Sequence, residues 1–146
     1  MWYSIKESIW MGVAAVCGLV AAMLGGWDTA LTSLLLCMAA DYVTGVIVAA
    51  VFQRSRKTES GALSSKAGFT GLLKKGVTLL IVMVAFRVEQ SAGVPYIREA
   101  AIFAFMANEV VSLIENAGLM GVPVPAVVTK AIDLLKNRAN ETDETR

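Results

Sequence analysis

The sequence predicts an all-α integral membrane protein that forms a single domain. Of its 146 residues, 56% are hydrophobic and 17% are charged, whereas roughly 25% of the residues in soluble domains are charged. The mean hydropathy is +0.63, and the apolar residues lie in long runs. A chain of this length is too short for a membrane bundle followed by a separate soluble enzyme. We therefore expect helices that cross a bilayer.

Four apolar segments are long enough to cross a hydrocarbon layer of ~30 Å, which takes ~20 residues. These segments are residues 9–26, 30–52, 76–93 and 97–120. A short turn, Gly25 to Asp28, joins the first two segments and predicts an antiparallel hairpin. The fourth segment is the least hydrophobic, so three spans plus one interfacial helix are the alternative to four spans.

The first segment resembles a signal peptide, because Lys6 precedes an apolar stretch. However, Glu7 lies beside this lysine, no good A-x-A cleavage site follows, and a second apolar run begins almost at once. These features favour a first span that is retained.

Residues 53–75 form a basic segment between the second and third spans. Against one acid, Glu59, the segment has six basic residues: Arg54, Arg56, Lys57, Lys66, Lys74 and Lys75. Its Ser and Gly content predicts a loop, with a short helix from Ser65 onward. Loops rich in Lys and Arg stay on the cytoplasmic side, so we expect this loop and, with four spans, both termini to be cytoplasmic. The same charges would attract anionic lipids.

The C-terminal segment, residues 121–146, is expected to be cytoplasmic and to carry a short amphipathic helix. Pro123 and Pro125 end the fourth span. The apolar residues that follow at helical spacing are Val128, Ala131, Ile132 and Leu135, and the basic residues off that face are Lys130, Lys136 and Arg138. Such a helix suits a membrane surface or a neighbouring subunit.

Small and polar residues form a stripe along each of two spans. The stripe of the second span comprises Ser33, Cys37, Asp41, Thr44, Gly45 and Ala49. The stripe of the fourth comprises Asn108, Ser112, Glu115 and Asn116, with Glu109 at its edge. A charge at the bilayer centre costs roughly 2.5–3.5 kcal/mol on insertion scales. We therefore expect associated copies of the chain to shield these groups from lipid.

Asp41 is open to two interpretations. It is either a buried structural carboxylate, paired with Arg87 or a backbone donor, or part of a polar interface or pore wall between subunits. Arg87 is expected to reach the outer interface by extending its side chain. Glu115 and Asn116 fit a helix end in the headgroup region.

Several kinds of chemistry are excluded or unsupported. The chain has no histidine, which excludes a Ser-His-Asp triad, a Cys-His pair and a His-ligated metal site. Cys17 and Cys37 lie in apolar runs and are expected to be free thiols, with a disulfide between neighbouring spans as the alternative. We expect no enzyme activity, no metal, no cofactor and no nucleic-acid partner.

Three sequence runs, MAADYVTGVIVA, SSKAGFTGLLKK and ANEVVSLIENAGLMGVPVP, together resemble the phage holin family that includes the clostridial toxin-secretion holins. Their order over roughly residues 34–125 makes the resemblance specific, although each run alone is a weak signal. The family's motifs fall on Asp41, Tyr42, Thr44 and Gly45, then on Ser65, Lys66, Gly71, Leu72, Lys74 and Lys75, and finally on Asn108, Glu109, Ser112, Glu115, Asn116 and Pro123.

The resemblance implies a homo-oligomer in the bacterial inner membrane that forms a lesion at a set time. Such a lesion depolarises the host cell and releases or activates an endolysin, and in some relatives it exports a toxin. The implied partners are other copies of the chain, membrane lipids, an endolysin without direct contact, and an antiholin. The alternatives are a small ion channel or transporter, and an antiholin or membrane scaffold that forms no pore.

Overall fold

The fold is all-helical over the part of the chain that the computed structural model describes, residues 2–131, 133 and 134. These residues contain no strand. The long α-helices are α1 (Trp2–Met23), α2 (Thr29–Ile47), α3 (Ser65–Ala92) and α4 (Ile97–Leu119). A π-helical turn, Val48–Phe52, extends α2.

Three helical stretches among the described residues are long and apolar enough to cross a membrane: Tyr3–Met23, Thr29–Phe52 and Ser65–Ala92. Helix α4 is not one of them, and it carries four charged residues, Arg98, Glu99, Glu109 and Glu115. Instead, α4 packs against both α2 and α3, and Arg98, Ile102, Glu109 and Asn116 are buried. The all-helical prediction is therefore confirmed, with three candidate spans rather than the expected four.

A side-chain cap in the turn between α1 and α2 marks the start of the second helix. Asp28 is the N-cap of α2, and its Oδ1 accepts a hydrogen bond of 2.8 Å from the Leu31 backbone N–H. Asp is among the preferred residues at this position because it satisfies an otherwise unpaired donor of the first turn. The cap fixes where α2 starts and places the Asp28 carboxylate at that end of the bundle.

Helix α3 begins at Ser65, eleven residues before the predicted third span. Its 28 residues measure ~42 Å at 1.5 Å per residue, which is longer than the hydrocarbon layer. The helix predicted from Ser65 onward is therefore confirmed, and it is continuous with the third span. The loop itself is shorter than residues 53–75 and covers residues 53–64. Lys74 and Lys75 consequently belong to a helix, where lysine has a favourable propensity.

The hydrophobic core lies among α2, α3 and α4, with the end of α1 against it. The buried cluster consists of Leu24, Leu31, Leu34, Met38, Val82 and Ile102. By contrast, most of α1 has no protein neighbour, and Trp10 and Leu19 are 71% and 63% exposed. In a bilayer this apolar surface contacts lipid or another protein.

Residues 126–131, 133 and 134 are helical, in the region of the predicted amphipathic helix. Val127 and Leu134 are exposed there. Ile132, Leu135, Lys136 and Arg138 lie outside the described residues, so the amphipathic face stays a prediction. Cys17 and Cys37 are free thiols, which excludes the disulfide alternative in this structure.

Candidate functional site

Lys75 of α3 joins a carboxylate of α2 to a carboxylate of α4. Its Nζ lies 2.9 Å from Asp41 Oδ2 and also donates a hydrogen bond to Glu109 Oε2. The side chains of Lys75, Asp41 and Glu109 are 15%, 6% and 9% exposed. We call these three residues the charge cluster. It ties the three packed helices together.

Asn116 connects the polar stripes of α2 and α4. Its Nδ2 donates to Asp41 Oδ1 at 3.1 Å and to Thr44 Oγ1 at 3.1 Å, and it is 3.3 Å from the Asp41 carbonyl oxygen. Thr44 in turn donates to the Ala40 carbonyl at 2.9 Å. The two stripes predicted from the sequence therefore meet each other within one chain.

This arrangement corrects two expectations about Asp41. Its ionic partner is Lys75, so the predicted pairing with Arg87 is wrong. Arg87 lies in an exposed part of α3, and its guanidinium is 5.9 Å from the centre of the Phe86 ring. The expectation that only other copies of the chain would shield the charges is also wrong, because Asp41 and Glu109 are already buried in a single chain.

The charge cluster forms one wall of a cavity of about 220 Å³. The cavity is partly open and is bounded by α2 with its π-helical turn, the connection before α3, the first half of α3, and α4. Residues of all three sequence motifs line it: Asp41, Tyr42, Gly45, Gly71, Lys74, Lys75, Asn108, Glu109 and Ser112. Sequence motifs that are far apart along the chain thus converge on one site.

The connection of residues 53–64 covers one side of this cavity through a tight turn. The Ser55 N–H donates to the Gly61 carbonyl at 3.0 Å, and the Thr58 hydroxyl donates to the Ala62 carbonyl at 2.9 Å. Gly61 has φ +71°, and a Cβ there would clash with the Gln53 carbonyl oxygen. Only glycine fits this close approach, so the turn that positions Lys57 beside the cavity depends on it.

The remaining predicted site residues lie away from the charge cluster. Ser33 and Cys37 are half-buried on α2, two turns and one turn closer to Asp28 than Asp41 is, and Glu115 is half-buried on α4. The exposed residues are Arg54, Arg56, Ser65, Lys66, Leu72 and Pro123. Arg54, Arg56 and Lys66 form no ion pair with the charge cluster in the described part of the chain.

A second polar cluster, which the sequence analysis missed, surrounds Arg98 at the other end of the core. Arg98 is 3% exposed and donates to the Leu24 carbonyl through Nε, to Asp28 Oδ2 through Nη1 and to the Gly26 carbonyl through Nη2. The hydrogen bond from Arg98 holds the pKa of Asp28 below its ordinary value. The sequence contains a signal for this cluster, because Arg98 lies at the start of the fourth segment and Asp28 lies in the turn between the first two segments.

An apolar layer separates the two polar clusters. Asp28 and Asp41 are 13 positions apart, which is ~20 Å along a helix, and Arg98 and Glu109 are 11 positions apart, or ~16 Å. Ile102 and its buried neighbours fill the space between them. This layer is thinner than the ~30 Å hydrocarbon region, so in a membrane at least one polar cluster lies below the headgroups and needs water or protein around it.

Comparisons with known proteins identify relatives that match most of this chain. The chain is 31% identical to an uncharacterized protein of Clostridium perfringens over 132 residues, which cover 89% of this chain and 92% of the relative. It is 33% identical to an uncharacterized protein of Listeria monocytogenes over 129 residues, covering 87% and 86% of the two chains. No solved structure matches.

A phage protein extends these comparisons to a relative with a stated role. A protein of Bacillus phage phi105 named "Probable holin" is 28% identical over 105 residues, which cover 71% of this chain and 72% of that protein. The sequence model of the bacteriophage holin family matches residues 18–137, a range that includes both polar clusters and all three motifs. The chain belongs to the bacteriophage holin family.

Proposed function

We propose that this protein is a holin, which oligomerises in the bacterial inner membrane and makes it permeable at a timed point in phage lysis. Family membership and three helices of membrane-spanning length and composition support a multi-pass membrane protein with a holin-like role. The family also suggests a protein without enzyme activity. The observation that carries the proposal is the charge cluster, because it buries ionic groups within one chain beside a partly open cavity.

The charge cluster provides a physical basis for a stable resting form. While Lys75 binds Asp41 and Glu109, a single chain keeps its ionic groups away from lipid. The protein is then able to accumulate in the membrane before it assembles. Helix α1 supports this view, because most of its apolar surface is left open to lipid or to other copies of the chain.

Assembly would exchange contacts within one chain for contacts between copies. Polar contacts between helices in a membrane are worth only ~0.5–2 kcal/mol each, so a steep dependence on concentration requires many of them to form together. In the assembled form, Asp41 and the stripe of α4 would face a shared aqueous lumen, where water replaces their intrachain partners. The membrane potential adds ~2.3 kcal/mol per elementary charge per 100 mV for any charge that moves across it.

The proposal includes an orientation and a set of partners. The basic segment, residues 53–75, lies in the cytoplasm. Helix α4 completes a fourth crossing, so both termini are cytoplasmic. Two of its four charged residues, Arg98 and Glu109, are buried in the helix bundle. The partners are other copies of the chain, membrane lipids and an endolysin that crosses the lesion without binding it, with an antiholin as a regulator. In an alternative form of this function, a toxin crosses the lesion in place of the endolysin.

Timed expression in a bacterium tests the proposal directly. The chain is induced with and without a co-expressed endolysin, and growth, membrane potential and turbidity are followed. We expect abrupt depolarisation after a reproducible delay, and lysis only when the endolysin is present. Graded, ion-specific current with continued growth would instead identify an ion channel, and an unchanged potential at equal membrane abundance would identify a scaffold or antiholin.

A double variant tests the proposed role of the polar stripes in the lumen. Asp41→Ala combined with Glu109→Gln removes both carboxylates of the charge cluster. We expect changed lysis timing, a changed oligomer size and altered dye leakage from vesicles. If all three measurements match those of the parent chain at equal abundance, the carboxylates do not face the lumen.

A further inference from the structure

Cationic and hydroxyl side chains line the cavity beside the charge cluster. Three lysines are among these residues: Lys57, Lys74 and Lys75. Of these, only Lys75 has a carboxylate partner among the described residues, since the ion pairs found there do not involve Lys57 or Lys74. Two cationic groups at the cavity are therefore without an anionic partner within ion-pair distance in the described chain.

Hydroxyl groups surround these lysines. Thr58 and Thr78 donate theirs to backbone carbonyls. The other hydroxyl residues of the cavity wall are Tyr42, Ser55, Ser64 and Ser112. The Tyr42 hydroxyl reaches α3, because a Cβ at Gly68 would lie 3.5 Å from its oxygen, and it makes no hydrogen bond to the residues that the structure describes. Ammonium groups combined with hydroxyl donors are typical of sites that bind phosphate oxygens.

The charge balance favours an anion over a cation. Three lysines and two carboxylates line the cavity, which leaves one net positive charge. Both carboxylates already bind Lys75, so neither is free to hold a metal ion. Lys57 reaches inward, since its Nζ would lie 4.0 Å from a Cβ placed on Gly45.

The size and the second wall of the cavity indicate what kind of anion fits. A volume of about 220 Å³ holds roughly seven water molecules at ~30 Å³ each, which suits a phosphoglycerol group. Val46, Ala49 and Leu63 provide an apolar wall next to the donors. Leu63 is also 58% exposed, so apolar surface continues from the cavity to the outside of the protein.

We propose that this cavity binds a glycerol-linked phosphate, with Lys57, Lys74 and Tyr42 as donors to its oxygens. The apolar wall and the exposed Leu63 favour the headgroup of an anionic phospholipid as the source, and soluble glycerol phosphate is the other source with the same chemistry. Binding at this site differs from a general attraction of the basic segment to anionic lipid, because it depends on the residues of the cavity and not on the total charge. It holds whether or not the protein permeabilises membranes.

Titration of the full-length protein in detergent with short-chain lipids tests this site. Phosphatidylglycerol and phosphatidylcholine of equal chain length are compared by thermal melting and by native mass spectrometry, and glycerol 3-phosphate is added as a competitor. We expect stabilisation by phosphatidylglycerol and little by phosphatidylcholine. Competition by glycerol 3-phosphate at low millimolar concentration assigns the site to the soluble source, and its failure assigns the site to lipid.

Matched variants separate the cavity from the overall charge. Lys57→Gln with Lys74→Gln removes two donors to the phosphate and should weaken phosphatidylglycerol binding about twentyfold. Arg54→Gln with Arg56→Gln removes the same charge outside the cavity and should change binding less than about twofold, because separated exposed charges are screened. Equal weakening by both pairs, or equal binding of the two lipids, would overturn the proposal. Tyr42→Phe keeps the charge and the fold and should weaken binding about threefold, so the site remains testable if the lysine variant does not fold.

Discussion

Lys75 and Asp41 are 34 positions apart in the sequence, yet their side chains form an ion pair of 2.9 Å inside the helix bundle. The same ammonium group also binds Glu109, so one positive charge holds two negative ones. Removing one partner of a buried ion pair is far more destabilising than the net stabilisation that the intact pair provides, because it leaves an uncompensated charge. The relationship therefore makes Lys75 the most sensitive member of the charge cluster.

Replacing Lys75 by methionine should lower the free energy of unfolding in detergent by about 3–5 kcal/mol. The methionine fills a similar volume but leaves the Asp41 and Glu109 carboxylates facing each other without a cation. Thermal melting followed by circular dichroism measures the loss. Under the proposed function, the same variant should also advance the onset of depolarisation, because its resting form is less stable.

Lys74→Met is the matched control for this prediction. Lys74 is the neighbouring residue on α3, is exposed and has no acidic partner in the described part of the chain. Its replacement should change the free energy of unfolding by less than about 1 kcal/mol. Similar losses for the two variants would mean that the ion pairs of Lys75 do not stabilise the bundle.

Asn116 provides a second prediction, because it bonds both Asp41 and Thr44 across the contact of α2 and α4. Asn116→Ala should destabilise the protein by about 1–2 kcal/mol. A double-mutant cycle with Thr44→Ala should give a coupling energy of at least ~0.5 kcal/mol. Asn108→Ala on the same helix is the control, since Asn108 is exposed and should show a change below ~0.5 kcal/mol. Additive effects at positions 116 and 44 would show that their hydrogen bond contributes nothing.

The polar positions of the site were more predictable than their partners. The spacing of Asp41 and Thr44 on one helix, and of Ser112 and Asn116 on another, follows from the helical period. Neither stripe indicates whether it meets its counterpart in the same chain or in another copy. The sequence predicts a helix from Ser65 onward, but the charge composition of residues 53–75 marks Lys75 only as a topology signal and does not show that it faces two carboxylates. Its role depends on a helix that begins at Ser65.

Arg98 was missed for a related physical reason. An arginine at the start of an apolar segment usually extends to the interface, and the sequence gives no indication that three backbone and side-chain acceptors converge on it. That convergence depends on the turn after α1, where the Leu24 and Gly26 carbonyls point toward α4. The helical class and the candidate spans were predictable because they rest on composition and length alone.

Gly25 provides a third prediction, which concerns that turn. Its φ is +92°, and a Cβ at this position would lie 2.6 Å from Arg98 Nε and 3.0 Å from Phe86 Cδ2. Gly25→Ala should therefore displace the buried guanidinium and lower the free energy of unfolding by more than backbone strain alone would.

Gly26→Ala is the control, because Gly26 has φ +97° but a Cβ added there would have no atom within 4 Å. The control should cost ~1–2 kcal/mol, and the Gly25 variant should exceed it by at least ~1 kcal/mol in thermal melting. Equal costs would show that Arg98 is not held tightly in its place.

The ion pair of Asp28 and Arg98 predicts how stability responds to acid. The hydrogen bond from Arg98 lowers the pKa of Asp28 from its ordinary value of 3.8. A carboxyl group with a lowered pKa in the folded state contributes its full stabilisation above the ordinary pKa, and it loses this contribution as the pH falls through the lower, folded-state value. We expect the melting temperature of the parent chain to fall as the pH decreases below about 4.

In Asp28→Asn the decrease should be smaller, since asparagine preserves the helix cap but does not titrate. Glu59→Gln removes an exposed acid that forms no ion pair with the described residues, so it should keep the acid dependence of the parent chain. An acid dependence in Asp28→Asn as steep as that of the Glu59 variant would show that other carboxyl groups determine the response and that the Arg98 pair does not.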